Sequence, residues 1–220
     1  MPRPVMPAAT RHILLALLLV AATWCVYAQT LGFEFVSWDD PHYITENPRV
    51  IGGVTIENIR WAWTTGHASN WHPLTWLSLM LDAEVFGPDP AGFHFTSVLL
   101  HTLATLLLYA WLAQFTGRTW CAAIIAGLFA VHPLRVESVA WVTERKDVLS
   151  GVFAWATLLA YVHYTNRRTL PRYLAVAALL TAGLLAKPIL VTWPAVMLLI
   201  DWWVGKGPSD RGTEGPREEG

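Results

Sequence analysis

The stretch Phe93–Gly117, FHFTSVLLHTLATLLLYAWLAQFTG, decides the fold, because it runs for 25 residues without an Asp, Glu, Lys or Arg. A helix that crosses the hydrocarbon core of a membrane needs about 20 mainly apolar residues. Similar stretches occupy residues 13–33, 119–134, 148–166 and 173–200, and the last of these contains a single charge, Lys187. The sequence therefore predicts an all-α protein that crosses the membrane several times.

Composition excludes an ordinary soluble domain. Of the 220 residues, 54% are hydrophobic, only 14% are charged and 13 are Trp, whereas a soluble domain has about 25% charged residues. The net charge of −1 gives no sign of a nucleic-acid partner. Cys25 and Cys121 both fall in apolar stretches, so they do not indicate a redox compartment.

The distribution of Lys and Arg predicts the topology. Residues 173–200 are too many for one span, and Lys187-Pro188 supplies both a charge and a helix breaker, so we expect two short helices there and six spans in all. Nine of the 15 Lys and Arg residues then lie on the side of the N-terminus and six on the other side. Because cytoplasmic loops are enriched in these residues, both termini are expected inside.

This topology gives a membrane domain over residues 1–204, a large outer loop over residues 30–92, and a disordered cytoplasmic tail over residues 205–220. Within the loop, residues 56–63 and 73–81 are predicted to be amphipathic helices lying at the membrane interface, where Trp is favoured. The first apolar stretch has an alternative reading as a cleaved signal peptide ending near Ala28. Trp24 and Tyr27 favour a retained span, and the question stays open.

Two charged clusters fall on the predicted outer side. The first, Asp39-Asp40, follows the first span closely, and a carboxylate there could act as the general base for an acceptor hydroxyl. The alternative is structural: Asp39 would cap the turn that Pro41 opens, and Asp40 would be solvated.

The second cluster, Glu144-Arg145-Lys146-Asp147, immediately precedes the fourth span. Arg145 and Lys146 are cations on the side where the topology rule disfavours them, and paired cations at a lipid boundary suit a phosphate group. The structural alternative is a helix whose first turn is stabilised by Asp147, with the other charges solvated.

Three further residues complete the candidate site. His132 and Glu137 lie on the same outer connection as the second cluster, and together with carboxylates they could bind a divalent metal, although their spacing matches no compact ligand motif. No cofactor is firmly implied, and a metal stays an open alternative. Lys187 is expected either to pair with a carboxylate or to hold a substrate phosphate.

Several of these residues belong to longer strings that resemble one known family. The chain is similar to the membrane part of the tetratricopeptide-repeat-containing protein O-mannosyltransferases and their bacterial relatives over nearly its whole length. The strings are FVSWDD (Phe35–Asp40), NWHPLTWLS (Asn70–Ser78), HPLRVESVAWV (His132–Val142), ERKDVL (Glu144–Leu149) and LAKP (Leu185–Pro188).

The resemblance implies the N-terminal part of a type C glycosyltransferase fold and transfer of a sugar, typically mannose, from a polyprenyl-phosphate donor to a Ser or Thr hydroxyl of an acceptor protein. Asp39 and Asp40 match the family's acidic pair, with Asp40 preferred as the base. The resemblance assigns substrate binding to the second outer motif and the later lysine. These residues are Glu144, Arg145, Lys146, Asp147 and Lys187, and we add His132 and Glu137 from the same outer connection.

The chain departs from the family by ending after about six spans without helical repeats. The alternatives are a truncated gene product, a fragment of a longer sequence, or a degenerate relative, and it stays open whether this chain is active by itself. A non-enzymatic membrane protein, either a transporter or an assembly subunit, is the alternative. The expected location is a bacterial inner membrane, with the endoplasmic-reticulum membrane as the alternative.

Overall fold

A computed structural model describes residues 7–205, and every regular element within that range is helical. The all-α prediction is confirmed. The α-helices are α1 (Ala8–Tyr27), α2 (Pro48–Ile51), α3 (Ile56–Thr64), α4 (Pro73–Phe86), α5 (Pro90–Thr116), α6 (Thr119–Val131), α7 (Val136–Ala140), α8 (Arg145–Asn166), α9 (Leu170–Ala186) and α10 (Trp193–Gly205).

Short 3₁₀ and π turns connect several of these helices. They occupy Ala28–Gly32, Pro41–Thr45, His67–Ser69, Pro133–Arg135, Val142–Glu144 and Pro188–Thr192, and the Pro41–Thr45 turn is π-helical. The described residues form two units, one up to Leu190 and the other from Val191. All contacts below lie within the first unit.

The central helix, α5, has a defined signal at each end. The Asp89 side chain accepts a hydrogen bond from the Ala91 N–H at 3.0 Å, and Pro90 occupies the first turn, where its missing N–H costs nothing. Gly117 ends the helix with φ +67°, a left-handed conformation that glycine adopts without strain. At 27 residues, α5 is about 40 Å long.

Helix α1 runs antiparallel to α5. Near its start, His12 Nδ1 lies 2.7 Å from the Tyr109 hydroxyl, late in α5. Near its end, the Tyr27 ring packs edge-on against His101, with the ring centroids 5.3 Å apart. The beginning of α1 and the end of α5 therefore share one end of the bundle.

Helix α8 runs parallel to α5, and α9 returns beside it. Arg145 at the start of α8 contacts Ser97 early in α5. Arg172 at the start of α9 contacts the carbonyl of His163 near the end of α8. All the candidate site residues predicted on the outer side consequently lie at the opposite end of the bundle from the α8–α9 connection.

Three helical segments are long and apolar enough to cross a membrane: Ala8–Gly32, Pro90–Thr116 and Val142–Asn166. A fourth crossing results if Thr119–Val131 and Pro133–Ala140, which are bent by 55° relative to each other, are taken as one broken span. The remaining apolar helices, Leu170–Ala186 and Pro188–Trp203, are shorter. Among the described residues this gives three to four candidate spans, so the count of six is not confirmed.

The break predicted at Lys187-Pro188 is confirmed, since α9 ends at Ala186 and a 3₁₀ turn begins at Pro188. Almost all of the tail predicted to be disordered, residues 205–220, lies outside the described residues. Only Gly205 is described, as the last residue of α10.

The outer loop folds around its own core rather than lying flat on a membrane. Trp76, Leu79 and Met80 of α4 are fully buried and contact Tyr43, Ile44, Val50, Ala62 and Phe93. The helices predicted at 56–63 and 73–81 both form, as α3 and α4. However, α4 is an internal helix because its bulky apolar side chains fill this core. The exposed apolar residues Ile56 and Trp63 remain on α3.

Candidate functional site

The first acidic pair divides into a buried and a half-buried carboxylate. Asp40 is fully buried, and its Oδ1 accepts hydrogen bonds from the Thr143 N–H at 3.0 Å and the Thr143 hydroxyl at 2.6 Å. Its Oδ2 accepts a third from the Val36 N–H at 2.8 Å. The hydrogen bonds of Asp40 therefore connect the outer loop to the turn that precedes α8. They bring the first cluster next to Thr143, which directly precedes the second cluster, and Asp40 is not solvated.

Asp39 remains partly accessible and lies near Tyr43. The pKa of the Tyr43 phenol is raised, mainly by burial. A hydrogen bond from Asn70 to the phenol opposes this rise, whereas the negative charges of Asp39 and Glu144 add to it. Asp39 is also connected to the second cluster through the chain, because its neighbour Asp40 accepts hydrogen bonds from Thr143, which directly precedes Glu144.

Four charged side chains surround the start of α8 and the end of α9. Lys187 Nζ pairs with Asp147 Oδ1 and lies 3.8 Å from Glu144 Oε2, while Lys146 Nζ lies 2.7 Å from Glu144 Oε1. Each of these side chains retains between 13% and 28% of its accessible surface. Ser138 donates a hydrogen bond to the second oxygen of Asp147. The structure thus favours ion pairing for Lys187. The side chains of Lys146 and Lys187 both remain partly accessible to solvent.

Arg145 faces the interior, away from these charges. Its side chain is fully buried, with Nη2 2.7 Å from Asp82 Oδ2 and also donating to the Phe93 carbonyl. Nε and Nη1 donate to the hydroxyls of Ser97 and Ser78. Because the guanidinium is enclosed by protein groups, it has no surface to offer a donor phosphate. It instead fixes the start of α8 against α4 and α5.

Aromatic side chains pack against one another next to the charged groups. The Tyr43 ring stacks on Trp76 at 4.9 Å between centroids, and His72 packs against the same indole at 4.8 Å. His72 is buried, and its pKa is lowered to about 4, first by burial and then by the positive charges of Lys146 and Lys187. The Lys146 ammonium lies 5.5 Å from the centroid of the Tyr43 ring, a distance that permits a cation–π attraction.

The remaining predicted residues, His132 and Glu137, are exposed and lie on the turn and helix that precede the second cluster. His132 Nδ1 accepts a hydrogen bond from the Leu134 N–H. Among the described residues, His, Cys, Asp and Glu side chains form no group of three able to hold a metal ion. The metal alternative therefore has no assembled ligand set in this part of the chain.

Sequence reasoning missed Tyr43 and Asp82, and it left the role of His72 unassigned. His72 falls within the string Asn70–Ser78, so its signal was present. Asp82 also had a signal, since it is an isolated charge after the long apolar run Pro73–Leu81, and such a charge usually has a partner. Tyr43 gave no local signal, because its role depends on contact with residues more than 25 positions away.

Comparison with known proteins gives curated relatives of one kind. The chain is 34% identical to the protein O-mannosyl-transferase Tmtc2 of Drosophila melanogaster over 80% of its length, and 32% identical to Tmtc1 of the same organism over 97%. It is 30% identical to human TMTC1 over 91% of its length. These matches cover 20%, 26% and 25% of the relatives, respectively.

No family model and no solved structure matches the chain. The curated matches agree with the resemblance carried by the motif strings, and they include nearly the whole chain. The chain spans about a quarter or less of the length of these relatives. It is thus a homologue of the Tmtc protein O-mannosyl-transferases, matched over part of their length.

Proposed function

We propose that this chain forms the acceptor-activating and phosphate-binding part of a membrane protein O-mannosyltransferase, with a polyprenyl-phosphate mannose as donor and a protein Ser or Thr hydroxyl as acceptor. The observation that carries the proposal is the ion-paired group of Glu144, Lys146, Asp147 and Lys187 at one end of the helical bundle. Asp39 is linked to this group through its neighbour Asp40, which accepts hydrogen bonds from Thr143. A carboxylate and two cations in one place supply a base and a counter-charge for a leaving phosphate.

Asp39 is the residue to which we assign the base. Its carboxylate is partly accessible, whereas the neighbouring Asp40 is fully buried and accepts hydrogen bonds from Val36 and Thr143. A base must reach the proton that it removes. Asp40 is then a positioning residue, which holds the Asp39 backbone beside Thr143 and the charged start of α8.

Lys146 and Lys187 are assigned to the phosphate of the donor. Each ammonium group is held by a carboxylate and retains some exposure, so each can turn toward an incoming anion. Glu144 and Asp147 orient these lysines and return to them when the lipid phosphate leaves. Arg145 contributes indirectly by anchoring α8.

The transfer then follows from these assignments. Asp39 accepts the proton of the acceptor hydroxyl, whose oxygen forms a bond to the anomeric carbon of the mannose. The bond from that carbon to the phosphate oxygen breaks, and its electrons leave with the polyprenyl phosphate. The two lysines stabilise the charge that develops on the leaving group.

The side of the membrane follows from the Lys and Arg distribution. Arg11, Arg118, Arg167, Arg168 and Arg172 lie at or beside the helix ends opposite to the site. Because the end enriched in Arg faces the cytoplasm, the site faces the other compartment. That compartment is the periplasm for a bacterial inner membrane or the lumen for an endoplasmic-reticulum membrane.

Donor binding is the first test, since it does not require turnover. The full chain in nanodiscs is titrated with mannosyl polyprenyl phosphate, and the Lys146→Ala/Lys187→Ala variant is compared with Arg49→Ala/Arg60→Ala, which removes two cations elsewhere on the outer loop. We expect at least tenfold weaker binding for the first variant only. Equal binding by both variants contradicts the assignment of the lysines.

Transfer is measured, in preparations shown to be active, with a radiolabelled donor and a Ser/Thr-containing acceptor peptide. Asp39→Asn should lower the transfer rate about 100-fold or more without changing donor binding, whereas Glu57→Gln, an exposed carboxylate on α3, should leave the rate unchanged. Undiminished transfer by Asp39→Asn rules out Asp39 as the base.

A further inference from the structure

A groove lies between α5, α8 and α9 at the opposite end of the bundle from the candidate site. It encloses about 380 Å³. Its walls are apolar and are formed by Leu107 of α5, Ala156, Leu159 and Ala160 of α8, and Ala175 and Leu179 of α9. Nothing in the proposed transfer reaction uses this groove.

Alanines at regular helical intervals create the depression. Ala156 and Ala160 are four residues apart and so lie on one face of α8, while Ala175 faces them from α9. Their short side chains leave space that the leucines border. From Ala156 to His163 the groove follows about 10 Å of α8, within the roughly 15 Å that one leaflet contributes to the hydrocarbon core.

The groove ends at a charged group. His163 and Arg172 complete its lining, and Arg172 Nη1 donates a hydrogen bond to the His163 carbonyl at 2.5 Å. An arginine carries five N–H donors, so this bond holds the guanidinium at the groove while leaving donors for a ligand. Arg167 and Arg168, both exposed, lie in the connection between α8 and α9.

Along the groove, α5, α8 and α9 carry no negative charge close to the arginines. No Asp or Glu occurs between Asp147 and Asp201, nor anywhere in α5. Three arginines within six residues therefore create a positive field at the mouth of an apolar groove. A membrane-bordering cluster of this kind attracts anionic lipid headgroups.

We propose that this groove is a binding site for an anionic glycerophospholipid, with one acyl chain between α8 and α9 and the phosphate at Arg172. Arg167 and Arg168 add to the attraction for the headgroup. An apolar groove with a cationic end fits a molecule that has an apolar chain and a negative headgroup. The site is separate from the proposed transferase site and does not depend on the proposed function.

Native mass spectrometry of the purified chain tests the proposal. The protein in mild detergent is titrated with phosphatidylglycerol or phosphatidylcholine of the same acyl chains. We expect one tightly retained phosphatidylglycerol, bound at least tenfold more tightly than phosphatidylcholine. Equal retention of the two lipids overturns the proposal. Preference for undecaprenyl phosphate over phosphatidylglycerol, or displacement by millimolar inorganic phosphate, also overturns it.

Variants separate the headgroup contact from the chain contact. Arg172→Gln should reduce the preference for phosphatidylglycerol at least fivefold, while the matched variant Arg60→Gln on the outer loop should not change it. Ala160→Phe, which fills the groove, should weaken the binding of both lipids. Equal effects of Arg172→Gln and Arg60→Gln refute a specific site.

Because Arg172 also holds the end of α8, a second variant keeps the test independent of folding. Arg167→Gln/Arg168→Gln retains the hydrogen bond to His163 and should still lower the lipid preference by at least threefold. Thermal denaturation confirms that each variant is folded. Unchanged preference in this folded double variant contradicts the role given to the arginine cluster.

Discussion

The buried ion pair between Arg145 and Asp82 is the residue-scale feature on which stability depends most directly. Removing one partner of a buried ion pair leaves an uncompensated charge and costs about 3–5 kcal/mol, whereas replacing both with apolar residues is often neutral. We therefore expect Arg145→Met alone to destabilise the fold strongly, and Arg145→Met combined with Asp82→Leu to recover much of the loss. Unfolding in denaturant measures both, and a double variant no more stable than the single one contradicts the pairing.

A second residue-scale prediction concerns His72 and pH. Its pKa falls from 6.5 to about 4 on folding, so between these values the unfolded chain binds a proton that the folded protein does not. Stability must therefore decrease as the pH falls from 6.5 to 4, by an amount on the order of 3 kcal/mol for this group. Above pH 6.5 the contribution is fully present.

Two histidine variants separate the contribution of His72 to this pH dependence from that of an exposed histidine. Chemical denaturation at several pH values should show a shallower loss of stability for His72→Gln than for the parent chain. His132→Gln, which changes an exposed imidazole, should follow the parent chain. If the free energy of unfolding depends on pH in the same way for the parent and His72→Gln, folding does not lower the pKa of His72.

At the scale of elements, the close approach of α9 to α8 depends on Gly183. A Cβ atom there would lie 2.3 Å from Leu190 Cδ2 and 3.1 Å from Phe153 Cβ. Gly183→Ala is therefore expected to cost about 1–3 kcal/mol through overpacking. Gly127→Ala is the control, since the nearest side-chain atom to the added Cβ, Leu19 Cδ2, would be 3.7 Å away. Equal stability of the two variants, measured by thermal unfolding, contradicts this view of the interface.

The elements also show what a sequence can and cannot reveal. The boundaries of α5 follow from local signals, Asp89-Pro90 and Gly117, so they could be predicted. The burial of α4 could not be predicted, because the run Pro73–Leu81 is compatible with either an interfacial or a buried helix. Its burial is decided by contacts with distant residues such as Tyr43 and Phe93.

At the scale of the whole molecule, the topology is testable by labelling. In a Cys25→Ser/Cys121→Ser background, Ser37→Cys should react with a membrane-impermeant maleimide applied to the side of the proposed site. Thr169→Cys should react only after permeabilisation, because the α8–α9 connection lies at the other end of the bundle. Labelling of both from the same side would overturn the topology.

The candidate site was only partly predictable for the same reason. The motif strings nominated Asp39, Lys146 and Lys187, and in the fold Lys146 and Lys187 both approach Glu144. The strings could not distinguish Arg145 from Lys146, although one side chain turns inward to Asp82 and the other outward. Direction depends on where the start of α8 meets α4, which no local pattern records.

The bond between Asp40 and Thr143 joins residues 103 positions apart. A ribosome adds about 5–20 residues each second, so roughly 5–20 s pass between synthesis of the carboxylate and synthesis of the donors that bury it. During that interval the outer loop has already been made, but its anchor has not. Asp40 must stay hydrated until Thr143 and α8 have been made, which makes the order of synthesis and insertion a determinant of when the site is assembled.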